Sequence, residues 1–432
     1  MKTRRRTRSE QSGRIIETAI LALGAQGDGI GDGDGRPLYV PLTLPGERVR
    51  VRLGERRGDG LAAELVEVLA PSPDRRPAPC GHFGVCGGCS VQHLGAAAYA
   101  AWKRDLVVAA LARAGLAGMP VAPAIVTPPA SRRRATLAAR RLQAGVVLGF
   151  NERRRHRIVD LTGCPVLLPS LVALLPILRE TLAALLAPGE AAEVSVAALD
   201  GGADVVLGLP GPPDLAAWER LAALAETAAL ARLSVRTGDG EPEPVAARRP
   251  ATLILGGVPV AVPPGSFLQA SAEGGAALTR LVRDGVGTAA RVADLFCGVG
   301  TFALPLAGRA KVFAVDSARP ALAALAAAAA GSGLDGRLRA EFRNLFRDPL
   351  AGAELSGFGA VVFDPPRAGA AAQAAALAAS PVPVVVGVSC NPASFARDAA
   401  ALVAGGYRLE RVTPVDQFLW SAHVELVGVF RR

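Results

Sequence analysis

The chain has no uninterrupted apolar run long enough to cross a bilayer, which excludes a membrane-spanning helix as its organising element. Its first residues, Met1-Lys2-Thr3-Arg4-Arg5-Arg6-Thr7-Arg8, are charged, and no apolar core follows them. They do not read as a secretory signal. Residues 1–12 read instead as a disordered basic arm, and the protein is expected in the cytoplasm, with no membrane partner. No internal repeat is evident, which leaves no basis for a repeat architecture. Aromatic residues make up only 4% although half the chain is hydrophobic. Much of that half is alanine, as in the run 326–330, which reports helix propensity more than function. Cysteine is limited to six residues. In a cytoplasmic protein of this size they point to metal ligands or nucleophiles before disulfides.

What is present is length and positive charge. The 432 residues allow two or three domains, and the net charge is +10. A basic balance of this size points to a polyanionic partner, most simply nucleic acid. Short strand-like patterns over 15–22, 38–41, 48–53 and 62–69, with a glycine-rich turn at 27–35, suggest a small barrel spanning 13–70. A proline-rich linker follows over 71–79. The middle region is less regular. It has a helix pattern over about 95–114, a second over 171–186 interrupted by Pro176, and a polar, proline-containing loop over 236–250.

From about Ser266 the pattern changes to alternating strands and helices. Val292-Ala293-Asp294-Leu295-Phe296, the stretch 311–316, the stretch 360–364 and the stretch 382–389 are short, continuous apolar strands. Such strands between helices specify a parallel sheet covered on both faces, with ligands at the carboxyl ends of its strands. Asp294, Asp316, Asp364 and Cys390 each fall at or near such an end.

Gly298 and Gly300 let the backbone approach a ligand after the first strand, and Asp316 is placed to accept from ribose hydroxyls. A dehydrogenase would share these features, but it usually carries a third glycine where this chain has Ala303. Asp364-Pro365-Pro366-Arg367 after the fourth strand favours a class I methyltransferase using S-adenosylmethionine. A thiol beside a methyl-donor site then gains a meaning. C5 of a pyrimidine is a poor nucleophile until a thiolate adds at C6; the C5 proton must afterwards be removed so that the thiol can leave. Cys390 within Ser389-Cys390-Asn391-Pro392 is the candidate nucleophile. Glu425 within His423-Val424-Glu425, on an alternating strand expected over 422–429, is the candidate base; a solvated strand carboxylate is the alternative. Cys297 belongs to the cofactor loop.

Upstream, Cys80, Cys86 and Cys89 cluster, and Cys164 is a distant fourth. Zinc and an iron–sulfur cluster are both open to such a set. Ligation by thiolates alone, and Pro165 after Cys164, lean toward iron and sulfur. With four cysteines as ligands no iron is left open, so the role would be to hold RNA-contacting loops. The arginine groups 132–134, 140–141 and 153–157 lie between Cys89 and Cys164 and suggest phosphate contacts.

These motifs together resemble the bacterial RNA uracil-C5 methyltransferases, most closely the iron–sulfur 23S ribosomal RNA branch. The likeness covers nearly the whole chain: residues 33–51 with Pro45-Gly46-Glu47, the four cysteines, Phe267-Leu268-Gln269, and each catalytic motif quoted above. The resemblance implies an α/β protein. Its C-terminal domain, 266–432, would be a Rossmann-like class I methyltransferase sheet, preceded by an OB-like TRAM barrel over 13–70 and a central iron–sulfur domain over 71–265. It implies Cys390 as nucleophile and Glu425 as proton acceptor. Gln269, Phe296, Thr301, Asp316, Asn344 and Asp364 would line the S-adenosylmethionine site. Cys80, Cys86, Cys89 and Cys164 would bind a [4Fe-4S] cluster. The substrate would be 23S ribosomal RNA, protein-poor or early in assembly, with no obligate protein partner. Thr301 stands where many members have Asn, Asp316 where many have Glu, and Ser271 where Asn is common. Alternatives are a transfer-RNA uracil-C5 methyltransferase, an exocyclic-amine methyltransferase, and a non-catalytic RNA-binding assembly factor.

Overall fold

The computed structural model describes residues 13–432; the basic arm expected over 1–12 lies outside the described residues. The chain forms two compact units. One comprises residues up to Trp102 with Glu152–Arg155 and Trp420–Ala422; the other comprises Lys103–Asn151, His156–Leu419 and His423–Arg432.

The first unit contains β1 (Ile15–Leu23), β2 (Gly29–Asp32), β3 (Pro37–Val40), β4 (Arg48–Arg57) and β5 (Gly60–Ala70). They close into a barrel in the order β1-β2-β3-β5-β4, as the short alternating strands imply. Alternation sends Leu38, Val40, Val49, Val51 and Leu53 inward. Arg50 faces outward and pairs with Glu17 and Glu67. The glycine-rich stretch expected to be only a turn contains β2. Its glycines serve close approach: a Cβ on Gly29 would stand 2.1 Å from Thr43 Oγ1. A strand made of Gly-Ile-Gly-Asp thus pairs where larger residues would not fit.

The second unit begins its strands with β6 (Ile125–Val126). A six-stranded sheet follows, built from β7 (Arg134–Leu142), β8 (Gly145–Gly149), β9 (Ala191–Leu199), β10 (Gly202–Leu209), β11 (Arg232–Thr237) and β12 (Glu243–Ala247). Its order is β12-β11-β10-β9-β7-β8. The helices Leu175–Leu185 and Leu215–Thr227 contribute Leu178, Leu182 and Leu221 to one core with Leu137, Leu148 and Val194. The irregular middle region of the sequence is therefore largely sheet. Its strands were hidden because alanine fills many inward positions, as at Ala135 and Ala139, and alanine carries little strand signal. The expected loop over 236–250 contains β12, an edge strand, where Pro244 costs no ladder bond to an outer neighbour. Pro176 does not interrupt a helix. It sits in the first turn of Leu175–Leu185, after the short helix Pro169–Val172 ends, where its missing N–H has no intrahelical partner to lose.

After the hairpin β13 (Thr252–Leu255) and β14 (Val258–Ala261) come β15 (Arg291–Leu295), β16 (Lys311–Asp316), β17 (Leu338–Phe342), β18 (Ala360–Phe363), β19 (Val384–Ser389), β20 (Arg408–Asp416) and β21 (Glu425–Arg431). The sheet order is β17-β16-β15-β18-β19-β21-β20-β6. Strands β15 to β19 run parallel, and β21 lies antiparallel between β19 and β20. Both faces are covered, because successive residues enter different cores. Val292, Val362 and Val386 pack in one, and Ala293, Val361 and Val385 in the other. The chain order reverses between β15 and β18, so the crevice beyond their carboxyl ends is where this architecture admits a ligand. Among the described residues no helix is long and apolar enough to cross a membrane.

Candidate active site

The loop leaving β15 turns sharply. Phe296, Gly298 and Gly300 all have left-handed backbone, with φ of 61°, 54° and 96°. For Gly300 a side chain is also sterically barred, since a Cβ would lie 2.5 Å from Leu325. Asp316, the last residue of β16, accepts from the Gly298 and Ala318 N–H groups, each at 2.8 Å. Phe296 packs its ring against Phe346 at 5.3 Å, and Asn344 Oδ1 accepts from the Phe346 N–H at 3.1 Å. Thr301 follows Gly300 in the same loop. Cys297 is buried there, and burial pushes its thiol well up.

Asp294 is fully buried, and no side chain satisfies either of its carboxylate oxygens. Burial, then the charge of Asp364, push its carboxyl well above the ordinary carboxylate range; the Ala303 N–H opposes the rise and Asp316 adds to it. A buried acid among further acids beside a glycine loop suits a cationic ligand with a ribose, and S-adenosylmethionine has both features.

Asp364 directly follows β18, and its N–H donates to Leu295 O at 3.1 Å. Burial raises its carboxyl to about 7, opposed by the Gln269 amide, whose Nε2 lies 3.5 Å from Oδ2. Cys390 directly follows β19. The turn around it is held by Asn391, which caps the helix Pro392–Ala404 and donates from Nδ2 to Arg367 O at 3.0 Å. The thiol is pushed up to about 11 by burial, then by Glu425 and Asp364, with Arg367 opposing. Glu425 opens β21 and is only 3% exposed. Burial and Asp364 raise it to about 8, while a hydrogen bond from Gln417 and the charge of Arg134 oppose the rise.

The structure thus brings Gln269, Asp364, Cys390 and Glu425 into one electrostatic neighbourhood at the strand ends. The alternative of a solvated Glu425 does not hold. The strand expected over 422–429 begins later, at Glu425, and His423 lies outside it. Sequence reasoning missed Gln417, and it read Arg134 as a phosphate contact rather than as a neighbour of Glu425. The Arg134 guanidinium lies over the Phe267 ring at 4.5 Å and is lowered to about 10, chiefly by burial.

The upstream groups are less uniform than the sequence suggested. Arg153 and Arg154 are already engaged within the first unit, although the Arg154 side chain stays half exposed. Both donate at 2.6 Å to the buried carboxylate of Asp28, which also accepts from Arg57. Burial would raise that carboxyl, but the three guanidinium groups hold it below its ordinary value. Cys80, Cys86 and Cys89 belong to the first unit and Cys164 to the second. Among the described residues no three or more His, Cys, Asp or Glu side chains come together as a metal site. The all-thiol donor set has the chemistry of an iron–sulfur site, with its four cysteines divided between the two units.

A class I methyltransferase sheet carrying a strand-end thiol and a buried acid is the class that this geometry defines. Comparison with known proteins narrows it. Residues 263–432 match the family described as tRNA (Uracil-5-)-methyltransferase, and residues 10–66 match the TRAM domain. An uncharacterized RNA methyltransferase of Caulobacter vibrioides is 44% identical over 96% of this chain and 100% of its own. A 23S rRNA (uracil(1939)-C(5))-methyltransferase of Alkalilimnicola ehrlichii is 36% identical over 96% of each chain. In fold, the chain matches the Pyrococcus abyssi tRNA (uracil-54, C5)-methyltransferase, solved with S-adenosyl-L-homocysteine. The TM-score is 0.75, with 22% identity over 96% of this chain and 99% of that one. The chain belongs to the uracil-C5 RNA methyltransferase family, with a TRAM domain at its N-terminal end.

Proposed function

We propose that this protein methylates C5 of a uridine in 23S ribosomal RNA through a covalent adduct between Cys390 and C6, forming 5-methyluridine. The observation that carries the reading is the juxtaposition of a strand-end thiol with two buried carboxyls, each of which raises it. S-adenosylmethionine, held by Gln269, Phe296, Thr301, Asp316, Asn344 and Asp364, supplies an electrophilic methyl group. Cys390 loses its proton to solvent and bonds through Sγ to C6, which makes C5 a carbanion equivalent. C5 then bonds to the methyl carbon as the donor's sulfur–carbon bond breaks. Glu425 takes the C5 proton, the electron pair reforms the C5–C6 double bond, and the Cys390 thiolate leaves. The target base must be extruded from folded RNA to reach these groups. The division of labour follows the sequence boundaries: RNA binding by the barrel over 13–70, RNA contacts from 71–265, and chemistry in 266–432.

The choice of ribosomal RNA is supported by the full-length likeness to a 23S enzyme, and the fold neighbour acts on transfer RNA. Mass mapping of 5-methyluridine in a deletion strain separates the two. One or more sites should vanish from 23S RNA and return with the gene, and free or early-assembly RNA should be the better substrate in vitro. Loss from transfer RNA alone would overturn the ribosomal assignment.

A [4Fe-4S] cluster on Cys80, Cys86, Cys89 and Cys164 is a separate part of the proposal, supported by the thiol-only donor set. Anaerobically purified protein should be brown and contain about four irons per chain. Serine at Cys86 or Cys89 should remove them and weaken RNA binding, with S-adenosylmethionine binding retained. Stoichiometric zinc without iron would refute the cluster.

A further inference from the structure

Gln417 lies just after β20, and its side chain is 2% exposed. Its amide is oriented by a group whose polarity is fixed: the backbone N–H of Ala270 donates to Gln417 Oε1 at 2.7 Å. With the oxygen committed, Nε2 must serve as donor, and it reaches two acceptors. One is Gln269 Oε1 at 2.6 Å, the other Glu425 Oε1 at 3.2 Å. Gln269 is oriented in turn. Its oxygen accepts, so its nitrogen is the atom facing Asp364 Oδ2. One backbone N–H therefore sets the direction of a chain that runs through two amides and ends on two carboxyls.

The hub has little room to move. A Cβ on Gly274, in the first turn of the helix Ala272–Val286, would stand 2.7 Å from Gln417 Cβ. The preceding residue, Asp416, is fully buried and accepts at Oδ1 from Lys103 Nζ at 2.9 Å and from the Phe418 N–H at 3.1 Å. Lys103 also donates to the His423 carbonyl. Val415 and Glu425 are register partners across β20 and β21. The segment between Gln417 and Glu425 is thus tied at both ends.

We propose that Gln417 is a positioning residue for the proton-transfer step. By donating to Oε1 of Glu425 it leaves the second carboxylate oxygen to receive the C5 proton, and the same amide couples that orientation to Gln269 in the methyl-donor site. This rests on the reading of Glu425 as base and Gln269 as donor-site residue. The charged groups facing Glu425 are Asp364 after β18, Cys390 after β19 and Arg134 at the start of β7. Asp364 and an ionised Cys390 favour the protonated acid, and Arg134 favours the carboxylate. Without the Gln417 donor, Arg134 alone of these groups supports the ionised base, and Glu425 holds its proton to higher pH.

The test is Gln417→Met, which nearly conserves volume and removes the donor. The methyl-labelled protein–RNA adduct would be followed on denaturing gels between about pH 6 and 9, against wild type and Glu425→Gln. Gln417→Met should accumulate adduct severalfold over wild type near neutral pH and resolve it as pH rises. The midpoint of resolution should move up by about one unit. Methyl transfer into the adduct should change by less than about threefold, a split that a general loss of structure would not give. Gln417→Glu keeps the side-chain length and the acceptor for Ala270 but brings a further acid to Glu425; it should trap at least as much. A wild-type pH profile in either folded variant, beside a trapped Glu425→Gln adduct, would overturn the positioning role alone. No adduct in Glu425→Gln would instead mean that the base assignment beneath it fails.

Discussion

Replacing Cys390 by alanine should lower methyl transfer by about a thousandfold or more while leaving S-adenosylmethionine affinity within about twofold. The two effects separate because they belong to different strand ends. Of the proposed donor-site residues, Gln269 precedes β15, Phe296 and Thr301 follow it, Asp316 ends β16, Asn344 follows β17 and Asp364 follows β18, whereas Cys390 follows β19. Without a thiolate at C6, uracil C5 is too poor a nucleophile to take the methyl group, and the other thiol at these strand ends, Cys297, is buried and raised well above its ordinary value. The resting thiol is held up to about 11 by burial and by two acids. It is therefore protonated near neutral pH and inert until RNA arrives. Methyl incorporation into natural RNA and calorimetry with the donor would measure the two quantities. Turnover by Cys390→Ala would sink covalent catalysis, and lost donor binding would show that the thiol helps build the donor site.

The features legible in the sequence were those that leave a local trace. Strands β18 and β19 are buried at every position, so each appears as an unbroken apolar run ending in Asp364 or Cys390. The glycine loop and the motif Ser389-Cys390-Asn391-Pro392 are likewise contiguous. The middle sheet was illegible because β7, Arg-Ala-Thr-Leu-Ala-Ala-Arg-Arg-Leu, carries few residues that favour strands. The tuning of the site was illegible for another reason. Lys103 meets Asp416 across 313 residues of sequence, and Ala270 meets Gln417 across 147. No window contains both partners of either contact. An isolated glutamine beside an aspartate carries no pattern, so Gln417 could be found only once the chain had brought Ala270, Gln269 and Glu425 to it. Arg153 and Arg154 show the opposite error: a dense basic run suggests phosphate, yet their guanidinium groups hold Asp28.

Glu425→Gln should stop the reaction after the methyl group has moved. The substitution removes the proton acceptor but conserves the shape and the hydrogen-bond capacity of the side chain toward Gln417. Thiolate addition and methyl transfer need no proton acceptor at C5, so both can proceed. Elimination of Cys390 does need one, because the electron pair that expels sulfur comes from the C5–H bond. The expected product is a stable protein–RNA species carrying the donor's labelled methyl, visible on a denaturing gel, with free 5-methyluridine reduced by about a hundredfold or more. The wild-type base gives a matching sign in pH. Glu425 is raised to about 8 by burial and Asp364, so its ionised fraction grows as pH rises toward that value. Adduct resolution should accelerate from about pH 6 to 8 in the wild type and show no such dependence in Glu425→Gln. If the variant formed free product at the wild-type rate with no trapped species, Glu425 would lose the base role, and Asp364, the other raised carboxyl at the site, would become the group to replace.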